Sequence, residues 1–435
     1  MNYVNGKIIS VEECDAILEN IGAMIAHTMC KPPLDIDIVI DACDRMSKNI
    51  GNLGVLKRLP ELGVSPELAR MYIGQIERMF SADAIRKRLR IELGADYDKP
   101  RQLVGMGGAS TATQSIAPLG ALFHITAGNV DGLPFVSLLD GLLTGNINIV
   151  KLPKEEGGIT VSLLSELFEI EPALKEYVYV FDYSSKDAHA MKTLAAASDA
   201  IVVWGGDEAV SAVRAMAGPN TKLIEWGHKI SFAYVTEGGI NTSAMAKLAH
   251  NICATNQLLC SSCQGVFLDT DDMRTVYDFC EFFLPILEEA SLANPFAFDA
   301  GEELFVQAKI TLDIYHQGIE NRDSAYRVFR GKGCSVSAYP DSKLETSIMY
   351  RNVWVKPLAK DDILNLRPYK GYLQTAALIC ADSEYDDLSR RLLQTGVVKI
   401  SDGSEMSNYA FGEAHDGMFP LRCYTRLVSV QDNKA

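Results

Sequence analysis

The stretch Asn256-Gln257-Leu258-Leu259-Cys260-Ser261-Ser262-Cys263-Gln264 sets a cysteine between amide and hydroxyl side chains, just before the apolar run Val266-Phe267-Leu268. A sulfur held rigidly between a helix end and a buried strand can meet a carbonyl carbon as a thiolate, which makes Cys260 a candidate nucleophile. The plainer alternative is that Cys260 and Cys263 are small hydrophobes at a helix end, the commoner fate of a free cysteine. The pair is also formally a Cys-x-x-Cys. Zinc would need two further ligands, and neither a second Cys-x-x-Cys nor a close histidine pair accompanies it, so no metal is expected. A dithiol couple remains open, in which Cys263 would trap an oxidised Cys260 as a disulfide.

Such a sulfur must be aimed by regular elements, and the chain supplies their pattern. From about Ala117, short apolar runs alternate with helix-period segments, as in a parallel sheet covered by crossover helices. Strands are expected over 119–126, 147–150, 177–181 and 200–204. Helices are expected over 135–143, ending at Gly145, then over 159–168 and 187–197, and a further one opens at Gly205-Gly206. Gly105-Met106-Gly107-Gly108 lacks both the following glycine and the preceding strand of a dinucleotide fingerprint, and reads as a loop. The first hundred residues read as mostly helical, with amphipathic periodicity over 36–46 and 68–79 and a charged stretch over 86–90. A helical pattern runs from Thr242 to the cysteine segment, and mixed strands and helices follow to about Ala381. Glycine or small polar residues at strand ends are how doubly wound folds build nucleotide sites.

A chain of 435 residues exceeds the size at which one core usually stops growing, so two domains are expected, and 48% hydrophobic residues can fill both. A formal net charge of -15 without a Lys/Arg run argues against nonspecific nucleic-acid binding. The N-terminus lacks the charged-then-apolar pattern of a secretory signal. The most apolar region, 133–150, is broken by Asp140, Asn146 and Asn148, so no stable membrane insertion is expected. Ten scattered cysteines give no disulfide framework. A cytoplasmic protein with reduced thiols is the expectation.

Four segments occur in order: Ala127-Gly128-Asn129; Gly145-Asn146-Ile147-Asn148-Ile149-Val150-Lys151; Leu223-Ile224-Glu225-Trp226-Gly227-His228-Lys229; and Asn256 to Cys260. This order resembles the aldehyde dehydrogenase superfamily. Cys260-Ser261-Ser262 and the late His415-Asp416-Gly417 make the chain most similar to the acyl-CoA reductase family that includes the fatty-acid reductase of bacterial bioluminescence. The resemblance covers about residues 119–427.

The resemblance implies an α/β fold of aldehyde dehydrogenase type. It would have two doubly wound domains and a mostly helical N-terminal region: helices plus an NADP-binding domain over 1–236, a catalytic domain over 237–400, and a C-terminal segment over 401–435 returning to the cofactor domain or a partner subunit. It implies NADPH-dependent reduction of a fatty acyl-CoA to the aldehyde, in which Cys260 takes the acyl group as a thioester and Asn129 donates to the oxyanion. Glu225 stands at the family's glutamate, to handle protons or to shape the site. Lys151 would hold the adenosine ribose, and Gly205 and Gly206 would form the second cofactor turn. Lys154 stands where NAD-preferring relatives often carry a glutamate. A cation there attracts a 2′-phosphate, so NADPH is expected over NADH, with Glu155 next door pulling the other way and a merely solvated Lys-Glu-Glu loop as the plain alternative. The family's Glu-x-Phe-Gly-Pro is absent; the comparable stretch runs from Arg351 to Pro357. A homo-oligomer and an acyl-supplying partner enzyme are further implications. A cysteine acyltransferase or thioesterase without hydride transfer, and a silent scaffold, are the competing readings.

Overall fold

The computed structural model describes residues 1–49, 73–74, 76–104, 111–126, 132–154, 158–295, 300–321, 325–410 and 412–431. The chain divides into two compact units, one comprising Met1–Gly227 with Ala410–Ala435 and the other His228–Tyr409.

In the first unit the strands are β1 (Asn2–Val4), β2 (Lys7–Ile9), β3 (Arg101–Val104), β4 (Thr111–Pro118), β5 (Ala121–Ile125), β6 (Ile147–Lys151), β7 (Val178–Phe181), β8 (Ala200–Trp204) and β9 (Lys222–Trp226). Seven of them form a sheet in the order β2-β1-β7-β6-β5-β8-β9. Strands β5 to β9 pair in parallel, and β1 adds antiparallel to β7. Strand β5 and strand β7 are buried along their whole length, as expected of a sheet covered on both faces.

The covering helices are α1 (Val11–Met29), α2 (Ile36–Asn49), α3 (Ala82–Leu93), α4 (Leu133–Leu142), α5 (Ile159–Ile170), α6 (Ala188–Ala196) and α7 (Asp207–Met216). Alternate residues of one strand serve opposite cores. Val178 and Val180 of β7 pack with Val39, Leu89, Leu138 and Leu164 of α2, α3, α4 and α5. Tyr179 and Phe181 pack with Leu18, Leu194 and Val213 of α1, α6 and α7. Helix α1 starts where it does because Ser10 and Glu13 form a capping box, and Leu18, Ile21 and Ile25 then give it one buried stripe.

The second unit contains α8 (Thr242–Thr255), α9 (Met273–Ala293), α10 (Ala300–Glu320) and α11 (Asp382–Thr395). Its strands are β10 (Ile230–Val235), β11 (Cys263–Leu268), β12 (Arg327–Gly331), β13 (Cys334–Ala338), β14 (Asn352–Pro357), β15 (Leu373–Ile379) and β16 (Lys399–Ser401). Their order is β12-β13-β14-β11-β10-β15-β16, parallel except for β12. One core packs α8 and α9 on the sheet, and the other packs α11 on its opposite face.

Two boundaries differ from the sequence expectation. The first unit ends at Gly227 and not at 236, because β10 is a central strand of the second sheet. The terminal segment leaves the second unit at 410 and not at 401, because β16 still pairs with β15. Strand β17 (Thr425–Gln431) then joins β4 and β3 in a three-stranded antiparallel sheet. No apolar alternation in the sequence marks that sheet. No helix among the described residues is long and apolar enough to cross a membrane.

Candidate functional site

Cys260 lies in the loop between α8 and β11, and it is exposed. The loop is held at nearly every residue. Helix α8 ends at Asn256, which with Gln257 adopts left-handed backbone (φ 48° and 60°). Such conformations in residues with side chains hold only where surrounding bonds fix them. Here the Arg351 guanidinium donates Nε–H to Asn256 Oδ1 at 3.0 Å, and Tyr350 N–H donates to the Asn256 carbonyl at 2.9 Å. Met349, Tyr350 and Arg351 are left-handed as well. Two strained segments thus clasp each other. Gln257 completes the clasp, its Nε2 donating to the Cys263 carbonyl and its Oε1 accepting from Asn352 N–H, both at 3.0 Å.

Two bonds act on the cysteine itself. Ser231 Oγ donates to the Cys260 carbonyl at 2.7 Å, and Gln374 Nε2 lies 3.3 Å from Cys260 Sγ. Neither Ser231 nor Gln374 was singled out from the sequence. The available signal was in strand β15, Leu-Gln-Thr-Ala-Ala-Leu-Ile, where an amide and a hydroxyl interrupt a run that is buried throughout.

Cys263, by contrast, opens β11 with its side chain in the core. Its sulfur donates to the Gly265 carbonyl at 3.2 Å, and burial pushes its thiol up to about 12. That is a poor setting for a thiolate that resolves a disulfide, so the dithiol alternative loses its second partner. The stretch from Arg351 to Pro357 is core strand β14 and its approach. Lys356 is fully buried there, 2.9 Å from Asp341 and 2.5 Å from Glu345. Among the described residues no cluster of His, Cys, Asp and Glu is arranged to hold a metal.

In the first unit Lys151 ends β6, and Lys154 follows in an exposed turn. Gly205 and Gly206 follow β8, and Gly206 caps α7. A methyl group added at Gly206 would meet nothing within 4 Å, so the backbone there is open to close approach by a phosphate. Asp207 and Glu208 occupy the first turn of α7 and oppose such an anion. The open backbone at the start of α7 is compatible with the phosphate of a dinucleotide. Glu225 lies on β9, and both of its carboxylate oxygens are held by Arg214. Asn129 and Glu155 lie outside the described residues, as do the loop 105–108 and half of the expected helix over 68–79.

A polar chain underlies this unit. Asn148 Oδ1 accepts from His124 Nε2–H at 3.0 Å, since Asn148 Nδ2 is committed to the Asn146 carbonyl. His124 Nδ1 therefore accepts from the Ser137 hydroxyl at 2.8 Å, and Ser137 Oγ accepts from Trp204 Nε1–H at 3.1 Å. Full burial holds His124 down to about 4. Trp204, at the end of β8, stacks on Trp226 at 5.3 Å, and the His415 ring packs on both, at 5.2 and 5.1 Å.

A family model described as acyl-CoA reductase (LuxC) matches residues 33–427. The chain belongs to that family. This LuxC-family chain is 24% identical to the long-chain acyl-protein thioester reductase of Aliivibrio fischeri over 378 residues, 85% of this chain and 75% of that protein. It is 24% identical to long-chain acyl-protein thioester reductase 2 of Photobacterium leiognathi over 323 residues, 72% of this chain and 64% of the relative. Among solved structures it resembles the NADP-dependent glyceraldehyde-3-phosphate dehydrogenase of Bacillus halodurans complexed with NADP. The TM-score is 0.70 at 15% identity, covering 100% of this chain and 99% of that one. The NAD-dependent benzaldehyde dehydrogenase of Corynebacterium glutamicum gives a TM-score of 0.68 at 14% identity, covering 100% and 95%. The fold of this LuxC-family chain is that of the aldehyde dehydrogenases.

Proposed function

We propose that the chain reduces long-chain acyl thioesters to aldehydes with NADPH, through an acyl group carried on Cys260. The observation that carries this reading is an exposed Cys260 whose carbonyl is held by Ser231 and whose sulfur faces the Gln374 amide. Family membership supports it, and so do relatives named for reducing long-chain acyl-protein thioesters. The acyl donor is a thioester of CoA or of an acyl-carrying partner protein.

The Cys260 thiolate attacks the thioester carbonyl; the bond from that carbon to the donor sulfur breaks, and the donor leaves as a thiolate that takes up a proton. Asn129 is the proposed side-chain donor to the oxyanion. NADPH, when bound, supplies the hydride that reduces the acyl carbon. The resulting thiohemiacetal oxyanion re-forms the carbonyl, expels Cys260 as a thiolate and frees the aldehyde. Lys151, Gly205 and Gly206 are the proposed cofactor contacts, with Lys154 favouring the 2′-phosphate. Glu225, paired with Arg214, is proposed to shape the site and not to shuttle protons.

The test is the loss of NADPH absorbance by purified protein with a long-chain acyl-CoA and, separately, an acyl-loaded carrier protein. Thioester-dependent oxidation that Cys260→Ser abolishes is expected. Release of free thiol without NADPH loss would instead mark a thioesterase. No thioester-dependent loss at any chain length, with either cofactor, would overturn the reading.

A further inference from the structure

We propose that Gln374 is a further catalytic residue, whose side-chain amide donates a hydrogen bond to the Cys260 thiolate. The proposal deepens the reading above and rests on Cys260 as nucleophile. Gln374 Nε2 lies 3.3 Å from Cys260 Sγ, and the residue is 2% exposed. An amide in a central strand carries a desolvation cost that a leucine would not, unless it meets a polar partner.

The surrounding backbone fixes the approach. Strand β10 pairs with β11 on one side and β15 on the other, and in both pairings the register shifts at Ser231. An irregularity of this kind re-aims a side chain, and such bulges gather near active sites. The re-aimed Ser231 hydroxyl donates to the Cys260 carbonyl at 2.7 Å and accepts the backbone N–H of Thr375 at 3.1 Å. One serine thereby ties Cys260 to the residue that follows Gln374. The Gln374 carbonyl is itself fixed by Val398 N–H at 3.0 Å. The sulfur and the amide therefore meet through rigid strands.

A hydrogen bond to the anionic form of a group favours that form. Glutamine does not titrate, so it stabilises the thiolate without returning a proton to it. The same bond serves twice. It populates the attacking thiolate, and it re-forms when the thiohemiacetal collapses and Cys260 leaves as a thiolate. No proton is transferred through the amide in either step.

The test is the pH dependence of Cys260 alkylation by iodoacetamide in the full chain, read by mass spectrometry on the peptide carrying Cys260. The wild type should show a midpoint below the roughly 8.5 of a free cysteine. Gln374→Leu should raise that midpoint by about one unit, slowing alkylation about tenfold at neutral pH with an unchanged plateau at high pH. Gln374→Glu should raise it further, because it sets a like charge beside the sulfur. A wild-type midpoint at or above 8.5 would overturn the proposal even if neither variant folds. So would a Gln374→Leu profile whose plateau drops at an unchanged midpoint, the mark of a packing role alone. The assay contains neither thioester nor cofactor, so failure of the reductase reading leaves its outcome intact, and the reverse holds.

Discussion

Arg214 reaches Glu225 with both arms of its guanidinium, Nε to Oε1 and Nη2 to Oε2, each at 2.6 Å. A planar fork on a carboxylate is the most directional of ion pairs, and here it ties α7 to β9. A carboxylate whose two oxygens are both held by one guanidinium is committed to fixing strand to helix, which suits a structural role. Glu225→Gln is therefore expected to lower kcat with a saturating thioester by less than about threefold, well below the hundredfold or more that loss of a general base brings. Steady-state kinetics with acyl-CoA decide it, and a hundredfold loss would restore Glu225 to proton chemistry.

Lys154 stands in an exposed turn after β6. Lys154→Glu should lower the ratio of kcat/KM for NADPH over NADH by about tenfold, through repulsion of the 2′-phosphate. An unchanged ratio would show that this lysine does not set cofactor choice.

The two acids opening α7 act in the other direction. Asp207 lies in the first turn, directly after the glycine cap. Asp207→Asn removes one negative charge from a helix N-terminus where cofactor phosphate is proposed to sit, so KM for both cofactors should fall, by about twofold to fivefold at low salt. A KM unmoved by the substitution, or by salt, would place the phosphate elsewhere.

Buried His124 makes the first unit sensitive to acid. Its folded value of about 4 lies below the roughly 6.5 of an exposed histidine, so the unfolded chain binds a proton that the folded chain refuses. Stability from this residue is intact above about 6.5 and is lost as pH falls from there toward about 4, by roughly 3 kcal/mol in all. Denaturation midpoints between those pH values should show this slope, and His124→Gln, which keeps a hydrogen-bonding amide, should flatten it.

Gly265 lies on β11 against the flat face of Trp354: a methyl group there would fall 1.9 Å from the nearest ring atom. The ring cannot step aside, because its Nε1–H donates to the Glu345 carbonyl at 3.0 Å. Gly265→Ala should destabilise the second unit by about 1–3 kcal/mol, and Gly265→Val by more, as read by thermal unfolding. A melting temperature equal to the wild type would refute the contact.

The central strands were legible because burial on both faces writes itself as an uninterrupted apolar run: β6 and β8 fall within a residue of their expected limits. The hairpin of β1 and β2 was not, because strands of three residues carry no period. Strand β4, Thr-Ala-Thr-Gln-Ser-Ile-Ala-Pro, was missed for a related reason, having no apolar face to announce it. At the site, the cysteine loop was legible from its own residue types. Ser231 and Gln374 stand 29 and 114 residues from Cys260 in the chain. They reach it only because parallel strands with crossover connections bring distant segments side by side, and a linear pattern does not record which strands become neighbours. Cys263 misled in the opposite sense: its spacing suggested a partner for Cys260, while the start of β11 turned it into the core.

The chain has three tryptophans. Trp204 and Trp226 stack on each other under His415 in the first unit, and Trp354 packs over Gly265 in the second. Each unit thus carries its own natural fluorophore. Replacing Trp354 with phenylalanine leaves an optical probe of the first unit alone, and replacing the stacked pair leaves one of the second. The two halves of the enzyme can then be watched melting separately in one intact chain.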